Sequence, residues 1–245
     1  MLKQVFKAEN AKLKRSFLLY MHLIILVAFP ILLGLYYGSR RFAISSANMF
    51  ITFYEILAMA SPIIISVVIC LVFDREEKAG DFKNWLTEPY SKAKTIQSQL
   101  NYYWLWYVIE IIGITLIYYL ILVVLYHITG ISFLKTLVTS IVFALCGWVQ
   151  YELAQVIALK WGIGGSLVMG FFGTVISLLG ITSLFDFIWP VIPWAWQIRL
   201  ITFWQHGISL GLIQLTILEY VCPLIMTLII ITLSRKYFNN WQGRK

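Results

Sequence analysis

Charge is what this sequence has least of. Only 12% of its 245 residues are Asp, Glu, Lys or Arg, against 60% hydrophobic. A soluble domain carries charge on about a quarter of its residues, so a water-facing globule is excluded. Cysteine is scarce too. Cys70, Cys146 and Cys222 stand singly inside apolar segments, which excludes a disulfide framework and a thiolate metal site and leaves three small buried hydrophobes. The three histidines, His22, His127 and His206, share no ligand spacing, so no metal is expected. A P-loop, G-x-x-x-x-G-K-[ST], is also missing. Gly162-Ile163-Gly164-Gly165 lacks its lysine and reads instead as a tight turn. No cofactor is expected on this chain.

What is present is a series of long apolar runs. They cover residues 16–39, 42–73, 102–126, 136–159, 163–185 and 208–234, each nearly free of charge. About 20 apolar residues cross the hydrocarbon as a helix, and closed β-barrel strands would be shorter and alternate in polarity. The expected fold is therefore all-α: a polytopic integral membrane protein with six transmembrane helices, in one domain spanning 1–245. The first run is preceded by mostly polar and basic residues and lacks a small-residue cleavage site, so it reads as a retained span rather than a signal peptide.

Basic residues orient the spans. With the N-terminus inside, fifteen of the lysines and arginines face the cytoplasm and four, Arg40, Arg41, Lys135 and Arg199, face out. The positive-inside rule thus places both termini in the cytoplasm. The net charge of +8 sits at the ends of apolar runs, where anionic membrane lipid, not nucleic acid, is the expected partner. Residues 1–15 form an amphipathic interfacial helix, with Leu2, Val5, Phe6 and Leu13 on one stripe. Residues 186–207, with Pro190, Pro193 and several tryptophans, are too apolar for an open loop and read as a short hairpin dipping into the outer interface. Ser166, Gly170 and Thr174, with Gly173 and Ser177, make small-residue faces that permit close helix approach.

The cytoplasmic loop 74–100 is the most informative stretch. Its start, Asp74-Arg75-Glu76-Glu77-Lys78-Ala79-Gly80-Asp81-Phe82-Lys83-Asn84-Trp85-Leu86, is dense in charge. Phe82, Trp85 and Leu86 recur at i, i+3 and i+4, which predicts a short amphipathic helix over 76–86 suited to docking a soluble partner. A solvated loop on the membrane surface is the plainer alternative. Within the spans stand Glu55, Glu110, Glu152 and Glu219. A charge at membrane depth costs roughly 2.5–3.5 kcal/mol on insertion scales, so each should face protein, water or a polar neighbour. Glu152 has Gln155 one turn on and Gln150 nearby. These groups read either as a path for a cationic substrate or as interhelical hydrogen bonds.

Glu76-Glu77-Lys78-Ala79-Gly80-Asp81-Phe82, placed straight after the second span, resembles the charged coupling segment of ABC-2-type transporter permeases. The basic start Phe6-Lys7-Ala8-Glu9-Asn10-Ala11-Lys12-Leu13-Lys14-Arg15-Ser16 and the small size further resemble the lantibiotic (bacteriocin) immunity permease subunits. The resemblance implies a non-catalytic permease subunit that pairs with a second permease, identical or related. A dimer of ABC ATPase subunits, carrying ATP and Mg, would drive it to expel a lantibiotic peptide from the bacterial cell membrane. It also implies that Glu76, Glu77, Gly80, Phe82, Trp85 and Leu86 lie at the ATPase contact. An ABC-2 exporter of another drug or peptide is the near alternative. A polytopic membrane enzyme would need catalytic groups clustered at one depth; no H-E-x-x-H or Ser-His pairing stands out. An ion-coupled secondary transporter would be expected to show inverted repeats, and none is detected.

Overall fold

The computed structural model describes residues 2–14, 16–83, 91–206 and 213–242, with the side chains of residue 2 and of 202–220 outside that description. All regular structure among them is helical. The helices are α1 (Leu2–Leu13), α2 (Phe17–Ser39), α3 (Ser46–Lys78), α4 (Lys92–Leu120), α5 (Phe133–Leu179), α6 (Pro193–His206) and α7 (Ile213–Asn240). A π-helical turn, Ile121–Leu125, extends α4, and 3-10 turns at Ser183–Phe185 and Trp189–Val191 lead into α6. Among the described residues five helices are long and apolar enough to cross a membrane: Phe17–Ser39, Ser46–Lys78, Lys92–Leu125, Phe133–Leu179 and Val221–Asn240.

The 47 residues of α5 would make a straight rod of about 70 Å, more than twice the hydrocarbon thickness. The helix is broken instead at Gly162, whose φ of 71° and ψ of −166° are not helical. That left-handed φ costs glycine little and other residues much. Contacts with α3 show what the break does. The Tyr54 hydroxyl donates to the Thr136 carbonyl at 2.8 Å, and Tyr107, bonded to Ser61 at 2.9 Å, packs where a side chain at Gly147 would stand. The limb 133–161 therefore runs parallel to α3. Beyond Gly162 the order reverses: Cys70 donates to the Ile163 carbonyl at 3.4 Å, Gly170 faces Ser66, and Gly173 faces Pro62. The two limbs are an antiparallel pair folded at one glycine, which corresponds to the fourth and fifth apolar runs.

Helix ends follow local chemistry. Ser45 caps α3 by accepting from the Asn48 amide at 3.2 Å, so the helix begins at Ser46. Ser132 caps α5 in the same manner. Ser91 stands at the N-cap of α4 without a side-chain cap bond. Pro30, Pro62 and Pro223 lie inside helices.

Packing between helices in lipid gains little from excluding water, so close fit carries it. The small-residue face of the second α5 limb does this. A Cβ on Gly170 would fall 3.1 Å from the Pro62 carbonyl oxygen and closer still to Ser66. Phe53 of α3 stacks on Tyr118 of α4 with ring centroids 3.9 Å apart. The segment expected to form an interface hairpin packs into the helix bundle. In α6, Ala195, Gln197, Ile198 and Ile201 are all buried, and Gln197 donates to the Tyr107 hydroxyl at 2.7 Å and to the Phe143 carbonyl at 3.0 Å. Outside that core, Arg199 pairs with Asp186 at 2.7 Å.

Candidate functional site at the 73–83 end of α3

Glu9 sits on the face of α1 opposite its exposed lysines and is buried. One carboxylate oxygen accepts from Lys12 at 2.9 Å and from Gln99 at 3.0 Å; the other accepts from Arg75 at 2.6 Å and from the Tyr103 hydroxyl at 2.7 Å. Glu76 is only 2% exposed. Its Oε1 accepts from Lys12 at 2.8 Å, from Arg75 at 3.0 Å and from Gln99 at 3.2 Å. Two carboxylates thus share one ammonium, one guanidinium and one amide, drawn from α1, α3 and α4. Charge balances inside the cluster, which is the condition for keeping ions out of water.

The electrostatics reflect that balance. Burial alone would raise the Glu9 carboxyl, but the Arg75 and Lys12 charges outweigh it and hold it below its ordinary value of 4.5. Burial likewise pulls Lys12 down, and Glu9 and Glu76 overcome this to hold its ammonium above the ordinary 10.5. Around the charges, Phe6 packs edge-on against Tyr102 at 5.3 Å, and Leu13 is buried. Helix α1 is bolted to the bundle by ions as well as by its apolar stripe.

Immediately beyond, the chain departs from the expected amphipathic helix. Residues 76–78 are the last turn of α3, and Gly80, Asp81 and Phe82 all take positive φ, at 140°, 53° and 60°. No helix passes through such a run. The turn throws Phe82 back into the core, where it is 1% exposed and packs against Phe73 at 4.7 Å and Trp241 at 5.2 Å. Trp241, just after α7, donates to the Leu159 carbonyl at 3.3 Å, and its own carbonyl accepts from Lys92 at 2.9 Å. Segments near both ends of the chain therefore meet the same end of α3.

The sequence-selected residues fall out as follows. Glu76 and Phe82 are buried, Glu77 and Gly80 are half-buried, and Lys78, Ala79, Asp81 and Lys83 between them are exposed. Any part Glu76 and Phe82 take in coupling runs through the position of this turn, because neither offers its side chain to a partner here. Trp85 and Leu86 lie outside the described residues, as does the Glu219 side chain. The other carboxylates of the apolar helices have different neighbours. Glu55 is half-buried beside Tyr37. Glu110 is buried and 2.7 Å from His22 Nδ1. Glu152 is fully buried on α5, beside Gln97 and Ser234, and Gln155 is 2% exposed.

Sequence reasoning missed the partners more than the residues. Glu9, Lys12, Gln99 and Tyr103 carried no local signal, since Glu9 and Arg75 are 66 positions apart. His22 likewise lacked a neighbour to point to Glu110, 88 positions away. Among the described residues, no group of three or more His, Cys, Asp or Glu could hold a metal.

A family model described as ABC-2 family transporter protein matches residues 5–177, which takes in the whole ionic cluster and both limbs of α5 nearly to their end. No curated protein and no solved structure matches the chain. That match covers well over half the sequence, and the apolar helices are those of a multi-pass membrane protein. The chain belongs to the ABC-2 transporter family, whose members are membrane transport components that work with an ABC ATPase.

Proposed function

We propose that this chain is the non-catalytic permease subunit of an ABC exporter in a bacterial plasma membrane. It crosses six times, the two limbs of α5 counting as separate crossings, and keeps both termini cytoplasmic. A second permease, identical or related, completes the pore, and a dimer of ATPase subunits carrying ATP and Mg drives it. The cargo is a lantibiotic peptide, expelled from the membrane to give self-immunity; another peptide or drug is the nearest substitute.

One observation carries the reading: the Glu9–Lys12–Arg75–Glu76 cluster fixes the α1, α3 and α4 ends around a turn whose exposed residues are charged. Lys78, Asp81 and Lys83 present the contact to the ATPase. Glu76 and Phe82 hold that contact in register, so a push on the turn is delivered to three helices at once. An affinity-tagged chain, purified from native membranes, carries a P-loop ATPase with it, and deletion raises sensitivity to the cognate lantibiotic. An unchanged sensitivity together with no ATPase in the eluate contradicts the proposal.

A further inference from the structure

A cleft of about 850 Å³ lies between α4, the first limb of α5, the α6 segment and α7. Its wall is almost wholly apolar, with Trp104, Trp148, Trp196 and Ile231 among its lining residues. Leu145 and Leu224 line it too, and they are 52% and 66% exposed, so it opens sideways toward lipid. Asn101 marks the inner end, accepting from the Trp148 indole at 3.1 Å and from Gln97 at 3.4 Å.

One helical turn further in, just beyond the lining of the cleft, the same three helices bring polar groups together. Gln97 lies four positions before Asn101 on α4, Glu152 four after Trp148 on α5, and Ser234 three after Ile231 on α7. Glu152 is 0% exposed, and neither of its carboxylate oxygens completes a hydrogen bond among the described residues, although Gln97 and Ser234 stand beside it. The nearby Gln155 amide nitrogen and the Gln97 carbonyl oxygen are also unmatched. The cation facing Glu152 is Arg235, which is exposed at the end of α7. A buried carboxylate without hydrogen bonds is costly as the anion, so it holds a proton until a positive group meets it.

We infer that the cleft and Glu152 together form a binding site for an amphipathic cation, the apolar body lying against the tryptophans and the positive group entering between Gln97, Glu152 and Ser234. A carboxylate that gains from ionising only when a positive group meets it commits the site to a cation over a lipid acyl chain, which would use the apolar wall alone. The inference rests on the exporter reading for its biological sense, since it names the class of cargo that the permease takes from the membrane.

The test uses the full chain in nanodiscs of zwitterionic lipid, without ATPase, and two radiolabelled ions of matched shape and opposite charge, tetraphenylphosphonium and tetraphenylborate. Equilibrium binding is corrected with empty nanodiscs. The phosphonium binds saturably and the borate does not; Glu152→Gln weakens phosphonium binding at least tenfold, and Leu145→Trp, which narrows the mouth, does the same. Equal binding of both ions, unchanged binding in a folded Glu152→Gln, or no saturable phosphonium binding to the wild type overturns the site. Should Glu152→Gln elute as aggregate, the phosphonium–borate comparison and Leu145→Trp decide alone. Because no ATPase is present, a negative result here leaves ATPase association and lantibiotic sensitivity to be judged separately.

Discussion

The Arg75 guanidinium donates to Glu9 at 2.6 Å, tying α1 to the end of α3 across 66 residues of sequence. Both partners are largely withdrawn from water, with the side chains of Arg75 and Glu9 22% and 4% exposed. Breaking such a pair from one side leaves an uncompensated buried charge, which costs about 3–5 kcal/mol. Glu9→Ala is expected to destabilise the detergent-solubilised protein by about that amount in thermal unfolding. Glu77→Ala, a half-buried carboxylate in the same stretch, is expected to cost less than half as much.

The same cluster sets a pH window for docking of α1. Glu9 is held below its ordinary carboxylate value, so its contribution is complete above about pH 5 and is lost as acid titrates it. Lys12 is held above its ordinary value, so its contribution persists through neutral pH and fails only in strong base. Tryptic cleavage after Lys12 or Lys14 requires α1 to lift away. In material briefly exposed to each pH and cross-linked there before digestion at neutral pH, protection is expected to be flat from pH 5 to 9 and to fall below pH 4. Loss of protection near pH 6.5 contradicts the assignment.

His22 and Glu110 make a second buried pair, 2.7 Å apart. His22→Leu strands a carboxylate in the membrane interior and should lower stability by about 3 kcal/mol or more. Replacing both, in His22→Leu with Glu110→Leu, removes the orphan and should recover most of the loss, because apolar substitutes for an entire buried pair are near neutral. The double-mutant cycle in thermal unfolding reads this as a large interaction energy. Additive losses would show that the two side chains act independently.

Close approach at Gly170 is directly testable. Leucine there meets both Ser66 and the Pro62 carbonyl, and overpacking of that kind costs about 1–3 kcal/mol. The second limb of α5 should then separate from α3. The native Cys70 thiol, buried at the same seam against the Ile163 carbonyl, should turn from protected to reactive toward maleimide in Gly170→Leu and stay protected in the unaltered chain.

The long apolar helices were legible in the sequence because charge bounds the apolar runs, and the fold at Gly162 was legible because Gly162-Ile163-Gly164-Gly165 reads as a tight turn. The helix expected over 76–86 was not, because the i, i+3, i+4 pattern of Phe82, Trp85 and Leu86 looks the same whether or not the backbone reverses before it. Three successive positive φ values at 80–82 are a tertiary choice, made so that Phe82 can fill the space between Phe73 and Trp241. Gln197 was hidden for a similar reason. In a stretch rich in proline and tryptophan it reads as an interface residue, and only the folded chain sets its amide on Tyr107 and Phe143.

A separate ATPase that drives the protein through the turn after α3 must touch that turn. A photo-crosslinking amino acid in place of Lys78, whose side chain is 74% exposed, tests it most directly in native membrane vesicles. The account predicts a covalent adduct with a P-loop ATPase from this position and none from the same amino acid at Phe187, which is 94% exposed at the opposite end. Adducts with lipid alone, or labelling of a Lys78→Cys variant by a membrane-impermeant maleimide added to intact cells, would contradict it.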